Sequence, residues 1–330
     1  MSIDVIDSGV DADFVALADP FRRELYAHCY RMLGSVHDAE DLVQETYLRA
    51  WRAYENFEGR SSLRTWLHRI ATTACLTALE GRAKRPLPVG LGGSSADPFE
   101  ELVERQEIPW LEPIPQSMLD DPADPAAIAD SRASIRLALI AALQHLPPRQ
   151  RAVLILCEVL KWRASEVATA LDTTTASVNS LLQRARAQLA KLAPELDEMS
   201  EPADATRRAM LDRYVDAFED YDLTALSEMF TENTVWEMPP FTSWFSGAGA
   251  IRALIENHCP AKKPGDLKMV RTSANGQEAG GQYLLDQETG EYTAFSLHVL
   301  TMHNERIAHV TVFFDTSLFE KFGLPMVWRG

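Results

Sequence analysis

The stretch Arg163–Leu189 reads RASEVATALDTTTASVNSLLQRARAQL and predicts two short helices joined by a tight turn. Ser165 is a candidate N-cap for the first helix, and Asp172-Thr173-Thr174 supplies the turn and a cap for the second. One face of the second helix is apolar: Val178, Leu182, Ala185 and Leu189. The opposite face carries polar and basic groups: Asn179, Ser180, Gln183, Arg184 and Arg186. Because amide and guanidinium groups read base edges in a major groove, the pattern favours a DNA-reading helix-turn-helix over a helical hairpin with a solvated basic face.

A formal net charge of −16 over 330 residues argues against a nucleic-acid partner, but the charge is unevenly distributed. Residues 132–193 carry nine Lys or Arg against three acids, and residues 60–85 carry six against one. Residues 93–131 carry ten acids against one Arg, and residues 194–330 carry 22 acids against 11 basic residues. Since the local field decides nucleic-acid contact, the two basic segments are compatible with DNA binding.

Composition and motifs exclude several classes of protein. No run of about 18 apolar residues occurs, so we expect no membrane span. The first residues, MSIDVIDSGVDADF, lack a basic region followed by an apolar one, so we expect no secretory signal. The four cysteines form no CxxC pair, which argues against a zinc ribbon and fits a reduced cytoplasm. Walker loops, GxSxG elbows and HExxH motifs are also lacking from the sequence, so the common NTPase and hydrolase functions lack support. We expect a cytoplasmic protein with no cofactor and no metal.

The chain divides into helical, linker and mixed segments. Residues 14–85 show apolar side chains at helical spacing. Residues 86–131 combine prolines with an acidic load and are predicted to be a mobile linker. Helical spacing resumes over 132–193, a second linker covers 194–204, and residues 205–330 pass from a helical to an alternating pattern. The predicted fold class is multidomain, with two all-α helical domains followed by an α+β domain.

The helix-turn-helix belongs to a longer segment with a family resemblance. IRLALIAALQHLPPRQRAVLILCEVLKWRASEVATALDTTTASVNSLLQRARAQL, residues 135–189, resembles region 4 of the sigma-70 family of transcription factors, above all in its LPPRQRAVLIL run. The resemblance implies that this domain reads the upstream promoter element. It assigns five residues to the major groove: Asn179, Ser180, Leu181, Gln183 and Arg184. Arg186, on the same helix face, is added as a further DNA-contact candidate.

The N-terminal helical segment resembles region 2 of the same family, in its small extracytoplasmic-function branch. The runs that carry the resemblance are DAEDLVQETYLRAW and RSSLRTWLHRIA. An acidic stripe lies along one helix face there, because Asp38, Asp41 and Glu45 are spaced i, i+3 and i+7, and Gln44 borders it. An isolated stripe of this kind is usually a solvated face. The resemblance instead implies that the stripe binds the clamp helices of core RNA polymerase, with region 4 at the flap.

The run WRAYENFEGRSSLRTWLHR, residues 51–69, interleaves aromatic and basic side chains. A melted duplex needs aromatic surfaces for its unstacked bases and cations for its phosphates. The resemblance implies that this part melts the downstream promoter element. The predicted contacts are Asn56, Phe57, Arg60, Ser61, Ser62 and Arg64, whereas we expect Trp51 and Trp66 in the core.

Residues 205–320 resemble the SnoaL-like fold, a curved sheet with helices over a conical pocket. The resemblance is carried by RAMLDRYVDAFEDYDLTALSEMF, the MPP that follows and the aromatic stretch after it. Candidate pocket residues are Trp236, Met238, Phe241, Trp244, His309 and Asp315. His298, His303 and His309 are better explained as structural histidines than as a metal site, because strand alternation separates 298 from 303. The fold hosts both enzymes and binding modules, and a regulatory role, with or without a small ligand, is favoured over catalysis.

Three functions remain open from the sequence. The leading one is a sigma factor that binds core RNA polymerase and directs promoter-specific initiation, with the C-terminal domain modulating activity. The second is a DNA-binding regulator that does not engage polymerase. The third is a SnoaL-like enzyme with a helical DNA-binding appendage. Charge reversal in the acidic stripe discriminates the first from the second.

Overall fold

The computed structural model describes residues 14–95, 97–119, 134–192 and 203–329. These residues form two compact units. The first contains the described residues up to Lys84 together with those of 118–192, and the second contains those of 85–117 and 203–329. Most of the predicted second linker, 194–204, lies outside the described residues. Within the described ranges no helix is long and apolar enough to cross a membrane.

The N-terminal half of the first unit is three helices: α1 Arg22–Leu33, α2 Val36–Ala53 and α3 Leu63–Ala78. Gly34 ends α1 with a left-handed backbone, φ 70°, that a side chain would strain. Ser35 begins α2, because its hydroxyl accepts a hydrogen bond from the Asp38 amide at 3.1 Å. Short 3-10 turns precede α1, at Asp19–Phe21, and follow α2, at Tyr54–Asn56. The helical spacing predicted for residues 14–85 is therefore present, with a loop after Asn56.

The second half of the first unit carries α4 Leu137–Gln144, α5 Pro148–Leu154, a π-helical turn Ile155–Val159, α6 Ala164–Ala170 and α7 Thr175–Leu192. Buried apolar residues from α5, α6 and α7 pack around Trp162. Leu76 of α3 packs against the same group, so the two halves share apolar contact. The expectation that Ser165 caps α6 is wrong, because the helix already begins at Ala164.

Two buried arginines join the halves of the first unit. Arg151 of α5 donates to Gln144 Oε1 at 2.6 Å and to the carbonyl oxygen of Met32 at the end of α1. Arg31 of α1 donates to the Ser134 hydroxyl at 2.7 Å. Burial lowers the pKa of each arginine to about 10, so both remain cationic near neutral pH. A buried cation is tolerated only when it has hydrogen-bond partners. Because Met32 and Ser134 each lie in the other half of the first unit from the arginine that they bind, the two arginines favour the packing of the halves seen here.

The second unit is built on one sheet: β1 Phe230–Glu237, β2 Trp244–Ser246, β3 Leu267–Ala274, β4 Gln277–Leu285, β5 Tyr292–His303, β6 Arg306–Phe313 and β7 Val327–Trp328. The order is β2-β1-β6-β5-β4-β3, with β7 beside β5. The β1–β6 pair is parallel and the other pairs are antiparallel. Three helices cover one face of the sheet: α8 Asp204–Glu219, α9 Leu223–Glu228 and α10 Ala248–His258. The short α11 Leu318–Lys321 places Phe319 against Tyr283 at 5.3 Å.

The predicted linker, 86–131, differs from the structure in its extent, because most of its described residues belong to the second unit. Its mobility stays a prediction. Residues 85–95 and 97–117 belong to the second unit, where they run along the sheet domain with little regular secondary structure. Isolated bridges pair Glu104 with Phe241 and Pro115 with Ala274. Prolines and acids prevent regular helix or strand, but they do not prevent a segment from pairing its backbone with a domain far along the chain. Residues 120–131 of that prediction lie outside the described residues.

Candidate functional site

The helix-turn-helix forms as α6, a turn and α7. Glu166 accepts a hydrogen bond from the Arg163 amide at 2.7 Å and fixes the start of α6. Asp172 adopts φ 49° in the turn, and the Thr174 hydroxyl accepts from the Ser177 amide at 3.1 Å, so Thr174 caps α7 as predicted. Val178 and Ala185 are fully buried, as the periodicity predicted.

The opposite face of α7 is the candidate upstream DNA surface. Its exposed members are Asn179, Ser180, Gln183, Arg184 and Arg186. Arg186 is already paired, because its Nε donates to Glu158 Oε1 at 3.0 Å. Leu181 packs partly against the apolar group around Trp162, so only the remainder of its side chain is available to a groove. Four of the six predicted contact residues are therefore exposed and outside the Arg186–Glu158 pair: Asn179, Ser180, Gln183 and Arg184.

The acidic stripe lies along α2 as predicted, but its members differ in their surroundings. Asp41 and Gln44 are exposed. Glu45 accepts from Arg49 Nε at 2.7 Å, and Asp38 accepts from Arg82 Nη1 at 3.0 Å. Leu48, one turn beyond Gln44, is 49% exposed and was missed by the sequence reasoning. An exposed leucine beside an acidic stripe suits a protein partner, because interface cores are apolar within a charged rim.

The loop between α2 and α3 presents a row of aromatic rings. Phe57 lies 4.7 Å from Trp66 and 6.3 Å from Tyr54 between ring centroids. Trp51 and Trp66 are only partly buried, so the expectation that they lie in the core is met in part. Asn56, Arg60 and Ser61 are exposed, which suits a loop that contacts a strand of DNA.

Two of the predicted DNA-contact residues of the loop, Ser62 and Arg64, already make hydrogen bonds within the protein. Ser62 caps α3 by accepting from the Thr65 amide at 3.1 Å. Arg64 forms an ion pair with Glu24 of α1, and its Nε donates to Glu24 Oε2 at 2.7 Å and to Oε1 at 3.0 Å. Arg60 pairs with Glu58 at 3.0 Å, but both side chains are well exposed, so the pair is easily exchanged for a phosphate.

The six candidate pocket residues of the C-terminal domain lie in different surroundings. Trp236 and Met238 are buried in the core beneath α8 and α10. Trp244 instead donates from Nε1 to the Gly92 carbonyl at 2.9 Å, and Phe241 bridges to Glu104. The sequence could not distinguish the core residues Trp236 and Met238 from Phe241 and Trp244, which contact residues 92–104. All four are large apolar side chains near strand ends.

A polar chain lies inside the core of the C-terminal domain. The Tyr214 hydroxyl lies 2.8 Å from His298 Nδ1, and the Ser296 hydroxyl lies 3.0 Å from His298 Nε2. Burial lowers the pKa of His298 to about 3, so the imidazole is neutral at physiological pH. With both nitrogens bonded, His298 is a satisfied structural histidine. No cluster of three or more potential metal ligands occurs in the part of the chain that the structure describes.

Glu237, which the sequence reasoning missed, lies on the sheet face opposite Trp236. Its side chain is fully buried, and its Oε1 lies 2.7 Å from His309 Nε2 and accepts from the Thr311 hydroxyl at 3.1 Å. The other oxygen, Oε2, accepts from the Val89 amide at 3.1 Å. Glu237 and Thr311 are partners in the parallel β1–β6 register, which explains their approach. The sequence shows only a glutamate directly before the MPP run; its burial depends on Val89, far earlier in the chain, and has no local signal.

A cavity of about 370 Å³ lies between residues 85–112 and the end of β6. Its walls are aromatic, proline and polar side chains, among them Trp110, Pro240, Phe314 and Asp315. Asp315 also accepts from the Ser317 amide at 3.0 Å, so it holds the turn that follows β6. Asp315 and His309 are therefore engaged in separate local structures.

The structure combines two helical modules, one of them with a helix-turn-helix, and an α+β domain, and comparisons with known proteins match each part. Three families match: Sigma-70 region 2 over residues 17–85, Sigma-70, region 4 over 136–189 and SnoaL-like domain over 211–310. The ECF RNA polymerase sigma factor SigG of Mycobacterium tuberculosis is 58% identical over 314 residues, which cover 95% of this chain and 84% of that protein. SigE of Mycolicibacterium smegmatis is 30% identical over 165 residues, half of this chain and 55% of that protein.

The crystal structure of the extracytoplasmic function sigma factor SigJ of Mycobacterium tuberculosis superposes with a TM-score of 0.62. The match covers 96% of this chain and 99% of that chain at 20% identity, and it shows a shared fold. The chain belongs to the extracytoplasmic-function (ECF) sigma factors of the sigma-70 family.

Proposed function

We propose that the chain docks on the clamp helices of core RNA polymerase through α2, places region 4 at the flap and reads a promoter through α7 and the loop after α2. It is a transcription initiation factor and not an enzyme, with RNA polymerase and promoter DNA as partners. The 58% identity with a sigma factor runs through both helical modules and the C-terminal domain, and this is the observation that carries the assignment. Such a role belongs in the cytoplasm, where the chromosome lies.

The polymerase contact is supported by the character of the α2 face. Asp41 and Gln44 are exposed beside Glu45 and Leu48, so the face offers charge and an apolar centre to one partner. Charged rims steer association, and apolar centres supply most of the affinity. The alternatives, a regulator that ignores polymerase and an enzyme with an appendage, have no observation in their favour.

Charge reversal at Asp41 tests this proposal. Asp41→Lys is expected to weaken binding to sigma-free core polymerase at least tenfold, because it places a cation against a basic docking surface. The measurement is fluorescence anisotropy of the labelled full-length chain with core enzyme. Glu80→Lys, at an exposed carboxylate just beyond α3, is the matched control with the same charge change. Equal loss of binding in the two variants would contradict an α2 docking face.

We propose further that the C-terminal domain modulates activity through residues 85–117, which it holds along its surface. A small ligand in the cavity beside Trp110 and Asp315 would act on the same contact, since the cavity is walled by both parts. The experiment is promoter-specific transcription with the full chain and with the variants described below.

A further inference from the structure

Residues 86–111 form a closed loop. The Leu111 amide donates to the Pro86 carbonyl at 3.0 Å, and Arg85 Nη1 donates to the Trp110 carbonyl at 2.9 Å. The backbone at Leu111 therefore lies beside the backbone at Pro86, and the residues between them form the loop. We call this segment the 86–111 loop and its closing contacts the neck.

The loop is held on the C-terminal domain at several points between its ends. The Val89 amide donates to the buried Glu237, and the Ser95 amide donates to the Trp244 carbonyl at 2.8 Å. Further on, the Arg105 amide donates to the Pro240 carbonyl at 2.9 Å. Backbone groups make most of these bonds, so the docking depends on the path of the loop more than on its side chains.

The closed loop removes length from the connection between the two helical modules. The region 2 match ends at Arg85, and the first described helix of region 4 begins at Leu137. Fully extended, residues 86–111 would span about 85 Å, but with the neck closed they contribute almost nothing. The chain from Ser117 to Ser134 spans at most about 60 Å. Release of the loop would therefore more than double the greatest separation of the modules.

We propose that the 86–111 loop is stored length, which the C-terminal domain holds closed in the free protein and releases when the two modules separate on polymerase and promoter. This inference rests on the proposed function, because separate upstream and downstream elements are what the modules would reach. The buried arginines Arg31 and Arg151 join the modules in the first unit, so separation also breaks their contacts.

A covalent neck tests the proposal in the full-length chain. Pro86→Cys with Leu111→Cys places two cysteines at residues joined by a backbone hydrogen bond, where a disulfide is geometrically accessible. The half-buried Cys157 and Cys259 are first replaced by Ser. Promoter-specific transcription with core polymerase is then compared for the oxidised and the dithiothreitol-reduced protein. We expect at least tenfold less transcript from the oxidised form and recovery on reduction.

The outcomes separate the two claims. Equal transcription from oxidised and reduced protein would overturn the stored-length proposal and leave the sigma function standing. If the reduced variant and the wild type both fail to transcribe, the proposed function fails, and the proposal that rests on it fails too. Oxidised wild-type protein controls for effects on the polymerase.

Leu111 is buried, so a second variant guards against misfolding of the first. Glu237→Gln keeps the size of the side chain but leaves one acceptor oxygen where two oxygens now accept from Val89 and Thr311. We expect hydrogen exchange across residues 86–111 to rise at least tenfold, with more transcript at limiting polymerase. Glu232→Gln, on the exposed part of the same strand, is the matched control. Unchanged exchange together with unchanged transcription in Glu237→Gln would overturn the proposal.

Discussion

The two candidate DNA surfaces of the first unit differ in how far the protein already uses their chemistry. On α7, Asn179 and Gln183 stand exposed, and the Nε of Arg184 donates to the Ser180 carbonyl of its own helix at 3.3 Å. In the loop before α3, Arg64 is bound by Glu24, and Phe57 lies against Trp66. The α7 surface leaves its polar side chains exposed, whereas the loop surface is shaped by contacts among its own residues. Substitutions on α7 should therefore change DNA binding alone, and those in the loop should change binding and stability together.

The largest effect is expected from Phe57→Leu. Leucine keeps apolar volume against Trp66 but removes a ring on which a base can stack, and such stacking contributes about 1–3 kcal/mol per base. Promoter opening by reconstituted holoenzyme, followed by permanganate footprinting, should fall about tenfold or more with little change in the midpoint of thermal unfolding.

Tyr54→Leu is the control for this prediction, because Tyr54 lies in the same aromatic row between Phe14 and Phe57. It should lower thermal stability more than promoter opening. Opposite behaviour of the two variants would mean that Phe57 only supports the loop.

A smaller effect, about tenfold in promoter affinity, is expected from Arg184→Ala. An exposed arginine that contacts a base or phosphate contributes on the order of 1–3 kcal/mol, while its loss leaves the fold intact. Binding of holoenzyme to promoter DNA is measured at fixed salt, since phosphate contacts weaken steeply with salt. Arg208→Ala, exposed on α8, has the same charge change and should leave affinity unchanged. A shift in unfolding temperature for Arg184→Ala would break the contrast between the surfaces.

The contrast also shows what the sequence could predict. The α7 face followed from periodicity and from the Thr174 cap, both of which are local signals. The pairing of Arg64 with Glu24, 40 residues away, has no local signal. The same holds for Glu237, whose buried position depends on Val89, far earlier in the chain.

The linker shows the same limit at larger scale. Its prolines and acids correctly predicted little regular secondary structure over the described residues of 86–117, but they gave no sign that these residues belong to the second unit. A backbone without helix or strand becomes ordered when a distant domain satisfies its amides, as Pro240 and Trp244 do here. Leu181 is a milder case, because the family pattern assigned it to DNA while its neighbours bury part of it.

The smallest effect is expected at Glu24, and it concerns pH. Burial raises the pKa of the Glu24 carboxyl. The hydrogen bonds from Arg64 and the charges of His68 and Arg31 lower it by more than burial raises it, so the pKa lies below the ordinary 4.5. A carboxylate with a lowered folded pKa stabilises the fold above its unfolded pKa, and this contribution is lost as pH falls through the folded pKa. Glu24→Gln should therefore lower the free energy of unfolding at pH 7 by roughly 1 kcal/mol, since the pair is about 40% exposed and partly screened.

The pH dependence of that difference decides what Arg64 does. In urea unfolding the difference in stability between wild type and Glu24→Gln should close as pH falls through the lowered folded pKa of Glu24, because the wild-type carboxyl then also loses its charge. Glu24→Gln also releases Arg64, so promoter affinity at pH 7 should rise if the guanidinium can reach a phosphate, and stay constant if Arg64 only ties α3 to α1. A stability difference that does not narrow at all as pH falls below the ordinary 4.5 would mean that packing, and not charge, holds this side of the loop.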